Sequence, residues 1–168
     1  VTSEVLPKTT KELESPCLDC SLCIKKCPTG ALNEVFNKKL CLSFLSQTRG
    51  VAYALYDKMK LVVGCDICQD VCPVNKKEQT YPEEFRFDLK SRFFLEEFEK
   101  LDEESFRKHY HDKAFGFLGF KRILRNLLVL ETNNNKVTIE DLEKYEKLTD
   151  EEWFRNHLEY LKGRIKNG

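Results

Sequence analysis

A chain of 168 residues, 41% hydrophobic, fits one domain of ordinary size or a compact module with a helical extension, and it is too short for a large enzyme. Its 28 basic and 28 acidic side chains cancel, so no global field points to nucleic acid or a membrane surface; any such contact has to come from a local patch. No run of 18 apolar residues and no charged-then-apolar leader is visible, which leaves a soluble cytoplasmic protein as the expectation, with no membrane partner.

The first residue is Val and the opening alternates like a strand without a partner, so Val1 to Leu6 reads as a terminal strand of something longer. Pro7 to Pro16 reads as a polar connector. A cysteine-rich module follows, with a short helix expected over Leu40 to Gln47. Val51, Leu55, Tyr56, Met59, Val62 and Val63 repeat at helical spacing until Gly64, which sits where a left-handed cap would turn the chain into Cys65. From Lys76 to Leu95 the chain turns polar and aromatic, and Phe85, Phe87, Phe93 and Phe94 suggest a wrapping linker covering a core with its rings.

Helices come next. Asp102 caps one carrying Phe106 and Tyr110, with Glu103 and Glu104 in its first turn. Gly116 and Gly119 separate it from a helix over Phe120 to Glu131, with Ile123, Leu124, Leu127 and Leu128 on one face. Asn133 to Asn135 form a turn, and Thr138 caps a short helix to about Lys147. Thr149 with Glu152 makes a capping box for a last helix bearing Trp153, Phe154, His157, Leu158, Leu161 and Ile165. The expected class is therefore α+β, mainly helical. Residues 1–16 belong to an upstream domain, 17–80 form a two-cluster ferredoxin-like domain, 81–101 link, and 102–168 form a short tail resembling helical repeats.

Eight cysteines at Cys17, Cys20, Cys23, Cys27, Cys41, Cys65, Cys68 and Cys72 carry the chemistry. The run CxxCxxCxxxCP from Cys17 to Pro28 is the bacterial ferredoxin ligand pattern, in which three close cysteines wrap one [4Fe-4S] cluster and the fourth reaches the other. The second run, Cys65 to Pro73, lacks its leading cysteine, and Cys41 supplies it. The count closes as Cys17, Cys20, Cys23 and Cys72 for a first cluster, and Cys27, Cys41, Cys65 and Cys68 for a second. Pro28 and Pro73 end the local turn after a cysteine that must point at the far cluster. A disulfide framework suits a small secreted chain with a leader, and structural zinc suits separated cysteine pairs, often with histidine; the triplet followed by Cys-Pro fits neither. Two clusters side by side make an electron path, and the module shows no nucleophile, acid pair or phosphate loop.

Three stretches, Cys27-Pro-Thr-Gly-Ala31, Cys41-Leu-Ser-Phe-Leu45 and Gly64 to Asn75, resemble epoxyqueuosine reductase, an enzyme of queuosine synthesis on tRNA. The resemblance extends to Gly119 to Asn126 as the start of a helical-repeat tail. It implies a cobalamin-dependent reductive removal of an epoxide oxygen, with two [4Fe-4S] clusters feeding electrons from an external donor to the cobalt and the tail helping to hold tRNA. In that family a cobalamin-binding domain precedes the cysteines, so this chain resembles the iron–sulfur and C-terminal part and is expected to be inactive alone. Where the family commonly has Gly-Asn-Arg before Gly64, this chain has Met59-Lys60-Leu61. The alternative is a stand-alone electron carrier or redox subunit with another partner.

Arg107, Lys108, Lys113, Lys121, Arg122 and Arg125 make a local basic run, from which Lys121, Arg122 and Arg125 are the expected tRNA contacts. His109 and His111 read as surface or packing residues, because neighbours in sequence do not share a helix face. Trp153 reads as core.

Overall fold

The structure, a computed structural model, describes residues 5, 14–50, 52–76, 93–148 and 150–167. Those residues are mostly helical and hold no strand. The β component of the expected class, the strand at Val1 to Leu6, lies outside the described residues apart from Val5, as do Phe85, Phe87 and Thr149.

Four short helices come first: α1 (Leu22–Lys26), α2 (Leu42–Gln47), α3 (Ile67–Asp70) and α4 (Leu95–Phe98). Longer ones follow: α5 (Glu103–Tyr110), α6 (Phe120–Asn133), α7 (Ile139–Glu146) and α8 (Glu152–Asn167). The caps account for the boundaries. Asp102 accepts from the Ser105 N–H at 2.8 Å while the Ser105 hydroxyl accepts from the Asp102 N–H at 2.9 Å, closing a capping box on α5. Thr138 and Asp141 do the same for α7. Gly119, at φ 76°, takes the left-handed backbone that opens α6, and Gly116 is needed for a separate reason: a Cβ there would sit 1.9 Å from the Tyr110 carbonyl oxygen.

Helix α6 is the axis of the packing. Its Ile123, Leu124, Leu127 and Leu128 are buried, as the periodicity anticipates. Around it lie α4 and α5 through Phe98 and Phe106, α8 through Phe154, Leu158 and Leu161, and α2 through Leu42 and Leu45. Phe98 stacks on Phe120 with ring centroids 5.7 Å apart, and Phe93 meets Phe98 and Phe115 edge-on. The core therefore runs continuously from the tail into the second half of the cysteine module, where Tyr56 and Met59 join it.

One helical expectation is corrected. Only Tyr53–Lys58 coils, as a 3₁₀ turn, and Met59 leaves it extended (φ −66°, ψ 133°). The turn suffices to send Tyr56 and Met59 inward. The Val62 carbonyl, which a longer helix would spend internally, instead accepts from the Asn126 side chain at 2.7 Å. The short helix expected over Leu40 to Gln47 also divides: a 3₁₀ turn at Lys38–Leu40, extended Cys41, then α2.

Candidate metal centre

The loop before α1 curls tightly, because Asp19 (φ 49°) and Ser21 (φ 57°) both take the left-handed region. This curl brings Cys17, Cys20 and Cys23 round one concavity. Cys27 ends α1, its N–H bonded to the Ile24 carbonyl at 3.3 Å, and Pro28 prevents the helix from continuing. The second run repeats the plan in shorter form. Gly64, at φ 79°, turns the chain into Cys65 as its sequence position suggests; α3 carries Cys68, and Cys72 is followed by a 3₁₀ turn beginning at Pro73. Asn75 locks that turn by donating to Gln69 Oε1 at 2.8 Å.

Helix α1 packs against α3, so the two runs face each other. Cys17, Cys20, Cys23, Cys68 and Cys72 line one cavity of about 350 Å³. Cys65 is surrounded differently: burial pushes its pKa up, and the neighbouring thiols of Cys41, Cys68 and Cys27 push the same way by like-charge repulsion. Cys68 thus stands between the two surroundings, lining the cavity of the first run and neighbouring Cys65 as well. All eight are free thiols; Cys17 and Cys20 are exposed and the other six half-buried.

The environment of Cys27 favours a thiolate. Burial alone would raise its pKa, but hydrogen bonds from the backbone N–H groups of Leu32, Thr29 and Ala31, and from the Thr29 side chain, bring it below the usual thiol value. Thr29 also donates to the Leu40 carbonyl at 2.6 Å, which ties the turn after Cys27 to the residue before Cys41. Among the described residues no three His, Cys, Asp or Glu side chains converge on the position of a single ion. Sulfurs on a tetrahedral zinc lie about 3.8 Å apart for Zn–S bonds of about 2.3 Å. Thiolates at four corners of a cluster each hold their own iron and spread further.

The basic residues fare less evenly. Arg125 is 1% exposed, and its guanidinium donates to the carbonyls of Leu45 (3.1 Å) and Thr48 (2.8 Å), to Asn126 Oδ1 (2.6 Å) and toward His157 Nε2 (3.2 Å). The expectation of a phosphate contact at Arg125 is therefore corrected: it lies on the buried face of α6, between Ile123–Leu124 and Leu127–Leu128, with its donors spent on protein oxygens and the His157 ring. Arg122 donates to the carbonyls of Leu118, Gln47 and Phe117, and Lys121 pairs with Glu151 at 2.6 Å. Lys121 and Arg122 nevertheless line a cleft of about 390 Å³ together with Arg49, Arg107, exposed Phe117 and Trp153. The Arg49 guanidinium lies 5.6 Å from the Trp153 ring centroid. His109 and His111 are exposed, in keeping with a surface role.

Sequence reasoning missed the polar pair inside α6. Arg125 and Asn126 interrupt an apolar face, and a buried polar pair at such a position is itself a signal that something across the interface must be satisfied.

With the thiols in place, the comparisons with known proteins are specific. Residues 16–75 match the family model described as a 4Fe-4S double cluster binding domain. Over 137 residues the chain is 35% identical to the epoxyqueuosine reductase of Staphylococcus aureus, covering 76% of this chain and 35% of that one. The chain is similar to the epoxyqueuosine reductases. The solved epoxyqueuosine reductase of Streptococcus thermophilus superposes with a TM-score of 0.78 at 25% identity, over 98% of this chain and 45% of its own. An epoxyqueuosine reductase crystallised with an epoxyqueuosine-modified stem loop of tyrosine tRNA shares the fold at a TM-score of 0.69 and 23% identity, over 92% of this chain and 52% of its own. This chain thus spans about a third to a half of the length of these relatives. No helix among the described residues is long and apolar enough to cross a membrane.

Proposed function

We propose that this chain is the iron–sulfur and C-terminal part of an epoxyqueuosine reductase. It holds two [4Fe-4S] clusters that pass electrons to cobalamin, in a domain or subunit outside this chain, for the reductive deoxygenation of epoxyqueuosine to queuosine in tRNA. Cys17, Cys20, Cys23 and Cys72 hold the first cluster, and Cys27, Cys41, Cys65 and Cys68 the second. Residues 17–80 form the cluster domain, 81–101 the linker and 102–168 the helical tail. A tRNA substrate puts the site of action in the cytoplasm.

The observation that carries this reading is that eight free thiols lie on two cysteine runs packed face to face through α1 and α3. A second feature supports it. Between residues 14 and 41 Ala31 is the only buried residue, so this stretch has almost no core of its own and needs a cross-link of another kind. When bound, the clusters supply one-electron steps at potentials set by net charge, hydrogen bonds to sulfur and exposure. The chain's own residues act on those quantities. The N–H groups of Thr29, Ala31 and Leu32 stabilise negative charge at Cys27. The exposure of Cys17 and Cys20 leaves the first group at the surface, within reach of an external electron donor or of the cobalamin-binding partner.

For tRNA the proposed contact is the cleft of Lys121 and Arg122 with Arg49 and Arg107, where exposed Phe117 offers a ring for an unpaired base. Arg125 has no part in it. Cys41→Ala tests the cluster reading: EPR of the anaerobically reduced variant retains one cluster and loses the other, whereas an unaltered two-cluster spectrum refutes the assignment. Arg49→Ala with Arg107→Ala tests the cleft: tRNA affinity falls and its salt slope drops by about one per charge removed, and an unchanged slope refutes the contact.

A further inference from the structure

Asn126 is fully buried on the inner side of α6, and both its amide N–H groups and its oxygen are hydrogen-bonded. Its Nδ2 donates to the carbonyls of Ser46 and Val62, both at 2.7 Å, and its Oδ1 accepts from Arg125 Nε at 2.6 Å. This pattern fixes the orientation of the amide, since a flipped group would turn its oxygen on two carbonyls. Ser46 is also fully buried; its hydroxyl donates to the Ser43 carbonyl at 2.8 Å and accepts from the Gly64 N–H at 3.0 Å.

These bonds join two particular segments. Ser46 belongs to α2, whose first turn opens at Cys41, and Val62 and Gly64 lead directly into Cys65. Both cysteines are in the second ligand set proposed above. The bonds of Asn126 and Ser46 involve no residue of the loop from Cys17 to Cys23.

We propose that Asn126 and Ser46 are positioning residues for the second cluster, stapling the segments that deliver Cys41 and Cys65 to each other and to helix α6. This rests on the reading of Cys27, Cys41, Cys65 and Cys68 as a [4Fe-4S] ligand set. The physical logic is that cluster ligands hold their metal only when the supporting hydrogen bonds fix their approach, and here that support comes from a helix about sixty residues further along the chain. The tail is thereby part of the scaffold of one cluster and not of the other.

The test uses the full chain, loaded anaerobically, with two variants. Asn126→Asp keeps the volume and turns the Arg125 contact into an ion pair, but removes both donors and sets a carboxylate oxygen against two carbonyls. Ser46→Ala removes the acceptor of the Gly64 N–H. The readouts are chelator-driven iron release and EPR of the reduced protein. The expected result is that half of the iron, about four of about eight atoms, leaves faster while the other half keeps its rate. For Ser46→Ala the factor is about fivefold, the worth of one neutral hydrogen bond, and for Asn126→Asp about tenfold or more. The EPR spectrum then simplifies to that of one isolated cluster. Unchanged release in Ser46→Ala overturns the proposal even if Asn126→Asp fails to fold. So does equal acceleration of all the iron in step with a lowered melting temperature, which signals a general loss of fold. A parent protein with about two irons or fewer fails the cluster reading itself, whereas a parent with about eight irons and unaffected variants fails only the staple.

Discussion

Replacing Arg125 by Met keeps most of the side-chain volume and removes the charge. In the parent, burial depresses the Arg125 pKa, and the guanidinium is held by the carbonyls of Leu45 and Thr48, Asn126 Oδ1, the Tyr56 hydroxyl and the His157 ring, none of them a carboxylate. The variant leaves the Thr48 carbonyl and the Asn126 oxygen without the Arg125 donor, each costing about 1–3 kcal/mol, offset in part by sparing the desolvation of a charge, while the Leu45 carbonyl keeps the Thr48 N–H at 3.3 Å. The balance is a loss of about 2–4 kcal/mol, which for a chain of this size lowers the melting temperature by roughly 10 °C. Chemical denaturation of the anaerobically prepared protein, with unchanged m-value, measures it. A loss below about 1 kcal/mol refutes the reasoning and returns Arg125 to the surface role its sequence neighbours suggest.

Burial, and then the charge of Arg125, lower the His157 pKa to about 3. A histidine depressed in the folded state contributes stability that is complete above its unfolded value of about 6.5 and is lost as pH falls from there toward 3, on the order of 4 kcal/mol in all. His157→Gln is expected to flatten unfolding free energy between pH 6.5 and 4 relative to the parent; parallel profiles contradict this. Gly116→Ala is expected to destabilise by about 2 kcal/mol or more, because its Cβ meets the Tyr110 carbonyl oxygen at 1.9 Å, and near-parent thermal stability refutes that contact. Stripping iron with a chelator is expected to abolish hydrogen-exchange protection in α1 and α3 while α6 to α8 keep theirs, since the buried apolar residues lie in the tail and around Tyr56. Protection of α1 that survives iron removal contradicts the role given to the thiols.

The helices from Asp102 onward were legible in the sequence because caps and periodicity agreed: Asp102, Thr138 and the Ile123 to Leu128 face all appear where the pattern puts them. The double-cluster character of residues 16–75 was legible for a different reason, since ligand spacing is dictated by cluster geometry and hardly depends on the rest of the chain. The stretch from Val51 to Val63 misled because its apolar spacing suits a helix, yet its Val62 carbonyl bonds the Asn126 side chain and its Tyr56 carbonyl that of Asn133, partners that only the packed chain brings near. Arg125 misled in the same way. A cation among cations reads as surface, and the apolar residues on either side of it, Ile123, Leu124, Leu127 and Leu128, held the contrary signal.

Iron and acid-labile sulfide in the anaerobically purified chain, normalised to protein, test the two-cluster reading most directly. Two [4Fe-4S] clusters require about eight of each per chain. Two irons or fewer, with zinc in their place and no sulfide, contradict it.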